Sequence, residues 1–105
     1  MTVYALAQIR VHDRARYDRY AAAFLPVLAK YRGRLLAADE SPQVVEGDWP
    51  YDKAVLMAFD DRESFRAWAD SPEYREISRD RVAATDGMVL LLDGLPGRPA
   101  RGPDA

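Results

Sequence analysis

Six consecutive apolar residues, Ala54-Val55-Leu56-Met57-Ala58-Phe59, decide how this chain folds. Side chains of a β-strand point alternately to opposite faces, so a strand over Lys53–Phe59 is apolar on both of its faces. The run from Met88 to Leu92 has the same property. Antiparallel strands with one face in water alternate between apolar and polar residues instead. The two runs therefore predict a sheet that is covered on both faces.

The segments around these strands predict the ferredoxin-like order β-α-β-β-α-β. Strict alternation predicts a strand over Val3–Val11, and apolar residues at helical steps predict a long helix after Asp13. Arg34–Asp39 predicts another strand, with Gln43–Glu46 as a short returning arm. A second helical region follows Lys53–Phe59. The fold class is thus α+β, with a four-stranded antiparallel sheet and both helical crossovers on one face.

Local signals predict where the helices begin, bend and end. Pro26 lies inside the first helix, where its missing N–H predicts a kink or a break in the preceding turn. Gly33 is expected to end that helix, because glycine adopts a left-handed C-cap without a Cβ clash. Asp60 and Glu63 resemble a capping box for the next helix, and Ser71-Pro72 predicts that a new helical segment starts there.

A single domain accounts for most of the chain. Its 105 residues, of which 49% are hydrophobic, fit one core. We expect this domain to cover residues 1–94. The remaining segment, LPGRPARGPDA, has almost nothing to bury, so we expect a flexible C-terminal tail over residues 95–105.

The helices of such a domain cover one face of the sheet and leave the other open. An exposed apolar face of that size exceeds the few hundred Å² that soluble monomers usually tolerate. A second copy of the chain is the simplest cover, and the sequence therefore predicts a homodimer.

Composition excludes several classes of function. Fifteen basic residues are scattered among seventeen acidic ones for a net charge of −2, so nucleic acid is not an expected partner. The chain has no apolar run of about eighteen residues and no recognisable leader, and cysteine is absent, so we expect a cytoplasmic protein without membrane contact. Phosphate-loop, nucleophile-elbow and metal-ligand motifs are missing, so no metal and no cofactor are predicted.

Several short motifs together resemble the bacterial domain-of-unknown-function family numbered 1330, within the dimeric α/β-barrel superfamily. The motifs are Asp13…Tyr17…Tyr20, Tyr31-Arg32-Gly33-Arg34, Val45-Glu46-Gly47-Asp48-Trp49 and Phe59…Trp68…Ser71-Pro72-Glu73-Tyr74…Arg81. The resemblance implies that two ferredoxin-like protomers stack sheet to sheet as a dimeric α/β barrel, and it implies no settled reaction. The family often has glycine where this chain has Arg32.

Arg34 and Arg81 are candidate ligand-binding residues, because guanidinium groups bind carboxylates through two hydrogen bonds. Arg81 shares one helix face with Tyr74 and Ile77, so we expect it to face inward. The alternative is that one of the two arginines pairs with Glu46 as a structural ion pair.

Aromatic residues supply the other candidates. A cleft between the helices and the sheet is predicted to be lined by Tyr17, Tyr20, Trp68 and Tyr74, with the tyrosine hydroxyls able to orient a ligand. The alternative is that these side chains only pack the core.

Two functions follow from these candidates. The first is a small-molecule-binding protein. The resemblance extends this function to a cofactor-independent enzyme, similar to the monooxygenases and isomerases of the superfamily, that acts on a small organic anion. Arg34 and Arg81 would hold the anionic group, Tyr20 and Tyr74 would orient it, and Glu46 and Tyr74 are the catalytic candidates. The alternative is a non-catalytic dimeric module that binds a ligand or another protein, so the sequence leaves open whether this is an enzyme.

Overall fold

The structure is a computed structural model that describes residues 1–96, and its elements follow the predicted order. The second helical region is two helices, and Ser71 is the N-cap of the second of them, accepting from the Tyr74 amide as expected. The elements are β1 (Val3–Val11), α1 (Arg14–Lys30), β2 (Arg34–Asp39), β3 (Lys53–Phe59), α2 (Arg62–Ala69), α3 (Pro72–Ala84) and β4 (Thr85–Asp93). Most of the predicted tail, residues 97–105, lies outside the described residues.

The four strands form one antiparallel sheet in the order β2-β3-β1-β4, which is the ferredoxin-like arrangement. Val3 pairs with Phe59 and Ala5 with Met57, so these side chains share a face. All four are buried, together with Ile9 further along β1. This face packs against α1, α2 and α3 and forms the core.

The opposite face of the sheet, called the open face below, is defined by Leu6, Leu56 and Leu90, which are paired across three strands. Leu90 is 43% exposed, and Leu92 on the same strand is 44% exposed. The β2–β3 loop reaches this face where the Trp49 indole N–H donates to Gln8 Oε1 over 2.9 Å. The prediction of strands that are apolar on both faces is confirmed.

Helix α1 begins where the sequence predicts, since Asp13 accepts a hydrogen bond from the Arg16 amide. It then runs without interruption through Pro26, so the expectation of a break there is wrong. The buried side chains of α1 continue on both sides of the proline, from Phe24 to Leu28. Their packing outweighs the roughly 3 kcal/mol that an interior proline costs.

The end of α1 differs from the prediction in one residue. Arg32, not Gly33, adopts the left-handed conformation, with φ of 64°. The Gly33 amide bonds to the Leu28 carbonyl over 3.0 Å and the Arg32 amide to the Ala29 carbonyl over 3.1 Å, which is a Schellman motif. Gly33 is required for a different reason: a Cβ there would lie 2.2 Å from Leu28 Cδ1 and 2.7 Å from Phe59 Cε2. Both of those side chains are fully buried and have no room to move.

Two further local expectations are wrong. The segment Gln43–Glu46 forms no strand, because both edges of β3 are already paired, one with β1 and the other with β2. Asp61, rather than Asp60, caps α2 by accepting from the Ser64 amide over 2.7 Å. Asp61 lies three residues before Ser64, the spacing at which an N-cap side chain reaches the third amide of the helix.

Helices α1 and α3 are joined at one end by Glu73. Its carboxylate accepts hydrogen bonds from the Tyr31 hydroxyl, at 2.8 Å, and from the Lys30 ammonium. These bonds from Lys30 and Tyr31 lower the pKa of Glu73 to about 2. This contact holds the last residues of α1 against the first turn of α3.

We predict that Arg32→Gly stabilises the protein by roughly 0.5–1 kcal/mol. In the left-handed conformation, a residue with a side chain costs about 1–2 kcal/mol more than glycine. Part of the gain from substituting glycine is lost, because glycine has greater backbone entropy in the unfolded state. Gly33→Ala is the matched comparison and should destabilise, because its methyl group collides with Leu28 and Phe59. Urea unfolding of the two variants measures both effects. A loss of stability in Arg32→Gly would contradict this account of the helix end.

The Glu73 contact predicts a pH dependence of stability. The pKa of Glu73 is lower in the folded protein, at about 2, than in the unfolded chain, so its contribution is present above the unfolded value of about 4.3. That contribution is lost as pH falls toward 2. Glu73→Gln should therefore lower the thermal midpoint at pH 6 and match the parent near pH 2. Glu76→Gln, a largely exposed position on the same helix, is the control, and equal effects of both variants would contradict the assignment.

Candidate functional site

A cavity of about 500 Å³ lies between the sheet and the helices. It exists because β1, one of the two central strands, carries small side chains such as Ala7 where larger ones would fill the core. Val55 and Met57 of β3 and Val89 of β4 complete the sheet side of the cavity. Its volume falls in the range of sites for small organic molecules, about 300–1,000 Å³.

The helix side of the cavity is a wall of aromatic rings. Tyr20 and Phe24 come from α1, Trp68 from α2 and Tyr74 from α3. The Trp68 and Tyr74 ring centroids are 4.0 Å apart, and Phe24 meets Trp68 edge to face at 6.2 Å. The prediction that Tyr20, Trp68 and Tyr74 lie together between helices and sheet thus agrees with their positions. All three are also buried, so they pack the core and line the cavity at once.

Two of these rings are joined through their hydroxyls. Tyr20 Oη and Tyr74 Oη are 2.9 Å apart in a buried hydrogen bond that links α1 to α3. Burial, and to a lesser extent the neighbouring Tyr74, raises the pKa of Tyr20 above its ordinary value. Tyr20 therefore stays protonated at neutral pH.

Arg81 is placed in the same wall, facing inward as its helical spacing predicts. Its guanidinium carbon lies 6.0 Å from the centre of the Tyr20 ring. Among the described residues, no carboxylate forms an ion pair with Arg81, and its Nε is buried without a hydrogen-bond partner. A neighbouring cleft of about 270 Å³ borders Arg81 on its other side.

The nearest carboxylate in the sequence, Asp80, is occupied by α1. Arg16 Nε lies 3.1 Å and Arg19 Nη2 3.2 Å from its Oδ1. Hydrogen bonds from Arg19 and Arg16 lower the pKa of Asp80 below its usual value. The α1 arginines thus neutralise Asp80, and Arg81 keeps an uncompensated charge at the cavity.

The other two polar candidates lie elsewhere. Arg34 pairs with Ala58, on the open face, and its Nη1 is 3.0 Å from Asp60 Oδ1. Glu46 is exposed in the β2–β3 loop. The alternative in which Glu46 pairs with Arg34 or Arg81 is therefore wrong, because the loop carries Glu46 away from both. Arg34 and Arg81 do not share a site.

Lys53 lines the cavity and was missed from the sequence. Its side chain is 16% exposed, with Nζ at 5.0 Å from the Tyr17 ring centre and 3.8 Å from Glu40 Oε2. The signal was present: Lys53 is the one charged residue in the alternating set with Val55, Met57 and Phe59 that faces the helices. Glu40, which also accepts a hydrogen bond from Arg14 over 3.3 Å, offsets part of the Lys53 charge, whereas no described carboxylate pairs with Arg81.

Other kinds of site find no support in the part of the chain that the structure describes. Residues 1–96 contain no cluster of three or more histidine and acidic side chains able to hold a metal ion. None of the helices in this range is long and apolar enough to cross a membrane.

The fold and the cavity define a ferredoxin-like α+β protein with an aromatic, ligand-sized site beneath its helices. Residues 2–95 match the family model described as "Domain of unknown function (DUF1330)". The chain belongs to this family, as its motifs indicate. No curated protein matches the chain significantly.

Solved structures share the fold at low sequence identity. A protein of unknown function from Rhodopseudomonas palustris is 19% identical with a TM-score of 0.77, covering 93% of this chain and 84% of that chain. A dimeric ferredoxin-like protein of unknown function from Thermobifida fusca is 20% identical with a TM-score of 0.63, covering 88% and 90%. SnoaB, a cofactor-independent oxygenase from Streptomyces nogalater, is 14% identical with a TM-score of 0.67, covering 93% and 97%.

Proposed function

We propose that this protein binds a small, largely apolar organic anion in the cavity, with its anionic group at Arg81. The observation that carries the proposal is a guanidinium in the cavity wall without an ion-pair partner among the described residues. Arg81 is part-buried, and its buried Nε donor is left without an acceptor, which costs about 1–3 kcal/mol. An anionic ligand supplies that partner, and a carboxylate can bind the guanidinium through two hydrogen bonds.

The apolar remainder of the cavity sets the character of the rest of the ligand. Rings on the helix side and aliphatic side chains on the sheet side offer contact to an apolar body rather than to a strongly hydrated one. The site suits an amphipathic acid better than a small hydrophilic anion such as phosphate.

A catalytic role is the second candidate, favoured by the likeness to SnoaB, a cofactor-independent oxygenase. Proton exchange by Glu46 has no support, since Glu46 is exposed in a loop. Tyr74 is the catalytic candidate that lines the cavity. Arg81 and Tyr20 would then bind and orient the substrate, and Arg34 would have no part in it.

The protein is further proposed to form a homodimer through the open face. The argument rests on the exposed leucines of β4 and on the solved relatives described as dimeric. Burying such side chains yields about 25 cal/mol per Å² of apolar surface. A cytoplasmic location stays a prediction from the sequence.

The dimer is tested by light scattering at micromolar concentration, where the mass should be twice the 11.8 kDa of the chain. Leu90→Asp places a charge on the open face, on the edge strand β4, and should produce monomers, because an unpaired carboxylate resists burial. Ala83→Glu, at an exposed position of α3, should leave the mass unchanged. A parent protein that is monomeric at every concentration would refute the shared face.

Ligand binding is tested through Arg81→Met in a thermal-shift screen of aromatic and aliphatic carboxylates. Without ligand, the free energy of unfolding should change by less than about 1 kcal/mol, because no carboxylate loses its partner. A carboxylate at about 100 times its Kd should stabilise the parent by roughly 2.7 kcal/mol and leave Arg81→Met unaffected.

Two further variants sharpen this test. Arg75→Met, at an exposed position of the same helix, should respond to ligand like the parent. Ala7→Leu should fill the cavity from the sheet side, abolishing the response while keeping the protein folded. A loss of about 3–5 kcal/mol in Arg81→Met alone would instead assign the arginine to a structural ion pair.

A further inference from the structure

The hydroxyl pair in the cavity wall has one hydrogen more than it uses. Tyr20 and Tyr74 each carry one hydroxyl hydrogen, and the 2.9 Å bond between them takes only one. Among the described residues, neither hydroxyl has another partner. A buried donor left without an acceptor costs about 1–3 kcal/mol, so an acceptor is expected from outside the protein.

Two other polar groups in this wall can only donate hydrogen bonds. Arg81 has no acceptor atom, and the Trp68 indole N–H is buried without a partner among the described residues. The remaining wall hydroxyl of α3, Ser78, already donates to the Arg75 carbonyl over 3.1 Å. The wall therefore matches a ligand that accepts hydrogen bonds at two separate places, one of them Arg81.

The ligand must also bring its charge with it. Among the described residues lining the cavity there is no carboxylate and no histidine to remove a proton. A carboxylic acid is ionised at neutral pH without such a base, whereas an ordinary phenol, with a pKa near 10, is not. A carboxylate therefore meets Arg81 already charged, whereas a phenol does not.

The two walls of the cavity select a flat shape. Rings of Phe24, Trp68 and Tyr74 face the small and aliphatic side chains of Ala7 and Val55 across the space. A planar ring in this space stacks on or meets the edges of those rings, which adds to the energy of burial.

We infer that the ligand is an aromatic carboxylic acid with a second oxygen on its ring system, its carboxylate on Arg81 and its second oxygen on the Tyr20–Tyr74 hydroxyl pair. This inference rests on the proposed function and adds the class of ligand to it. The second oxygen distinguishes such acids from plain aromatic acids and from fatty acids.

The test is calorimetric titration of the full-length protein with four probes: 2-naphthoate, 3-hydroxy-2-naphthoate, 6-hydroxy-2-naphthoate and decanoate. We expect at least one hydroxynaphthoate to bind about 3- to 10-fold more tightly than 2-naphthoate, the ratio that one hydrogen bond provides. The advantage should disappear in the double variant Tyr20→Phe/Tyr74→Phe, because either hydroxyl alone could still donate to the second oxygen. All binding should fall in Arg81→Met. Tyr51→Phe, which removes a hydroxyl outside the cavity, should keep the affinity advantage of the hydroxynaphthoate.

The outcomes separate the two proposals. If 2-naphthoate or decanoate binds at least as tightly as both hydroxynaphthoates and depends on Arg81, the ligand class is wrong and the proposed function stands. If none of the four probes binds the parent, or if binding survives both Arg81→Met and Ala7→Leu, both proposals fail. Circular dichroism checks that each variant folds, and if the double tyrosine variant does not fold, loss of the advantage in either single variant supports the ligand class while its retention in both contradicts it.

Discussion

Strand β1 is hydrogen-bonded on both edges and lies in the middle of the sheet. Its side chains therefore pack on both faces of the sheet. One set, Val3 to Ile9 in alternation, meets the helices, and the other set, which includes Leu6, meets whatever covers the open face. Because Ala5 and Ala7 are small, the helices pack over β1 without filling the space above it. The cavity is thus a result of strand composition, and the aromatic rings of the helices surround it rather than occupy it.

Within residues 1–96, charge is distributed around this cavity so that Arg81 has no carboxylate partner. Asp80 and Arg81 are consecutive in α3, yet their side chains diverge because successive helical residues point about 100° apart. Asp80 turns to α1 and is bound by two arginines, while Arg81 turns to the rings. Lys53, the other cation at the cavity, keeps Glu40 as its partner. Helix α3 is therefore bound to α1 through Asp80, whereas the Arg81 guanidinium, on a different side of α3, lies at the cavity without a described carboxylate partner.

Features set by neighbouring residues could be predicted from the sequence. Asp13 and Ser71 cap helices through amides three residues ahead, and the inward position of Arg81 follows from its helical spacing to Tyr74. Features that depend on distant contacts could not. The partner of Arg34 depends on the register of β2, which contains an irregularity between Leu35 and Ala37, and on β3 ending at Phe59, just before Asp60.

Two failures have a more local cause. Gly33 resembles a helix C-cap in sequence, and only the contact with Leu28 and Phe59 shows that its missing side chain serves close packing. Arg32 then takes the left-handed position. Glu46 lies in a loop without regular structure between β2 and β3, where no periodicity in the sequence indicates its direction.

The two tryptophans lie on opposite faces of the sheet, which has a spectroscopic consequence. Trp68 is buried against Tyr74 at the cavity, whereas Trp49 reaches the open face and bonds to Gln8. Their indoles thus sense different surroundings. With one of them replaced by phenylalanine, the intrinsic fluorescence of the other reports on a single face, so occupancy of the cavity and association of protomers become separately observable in one unlabelled protein.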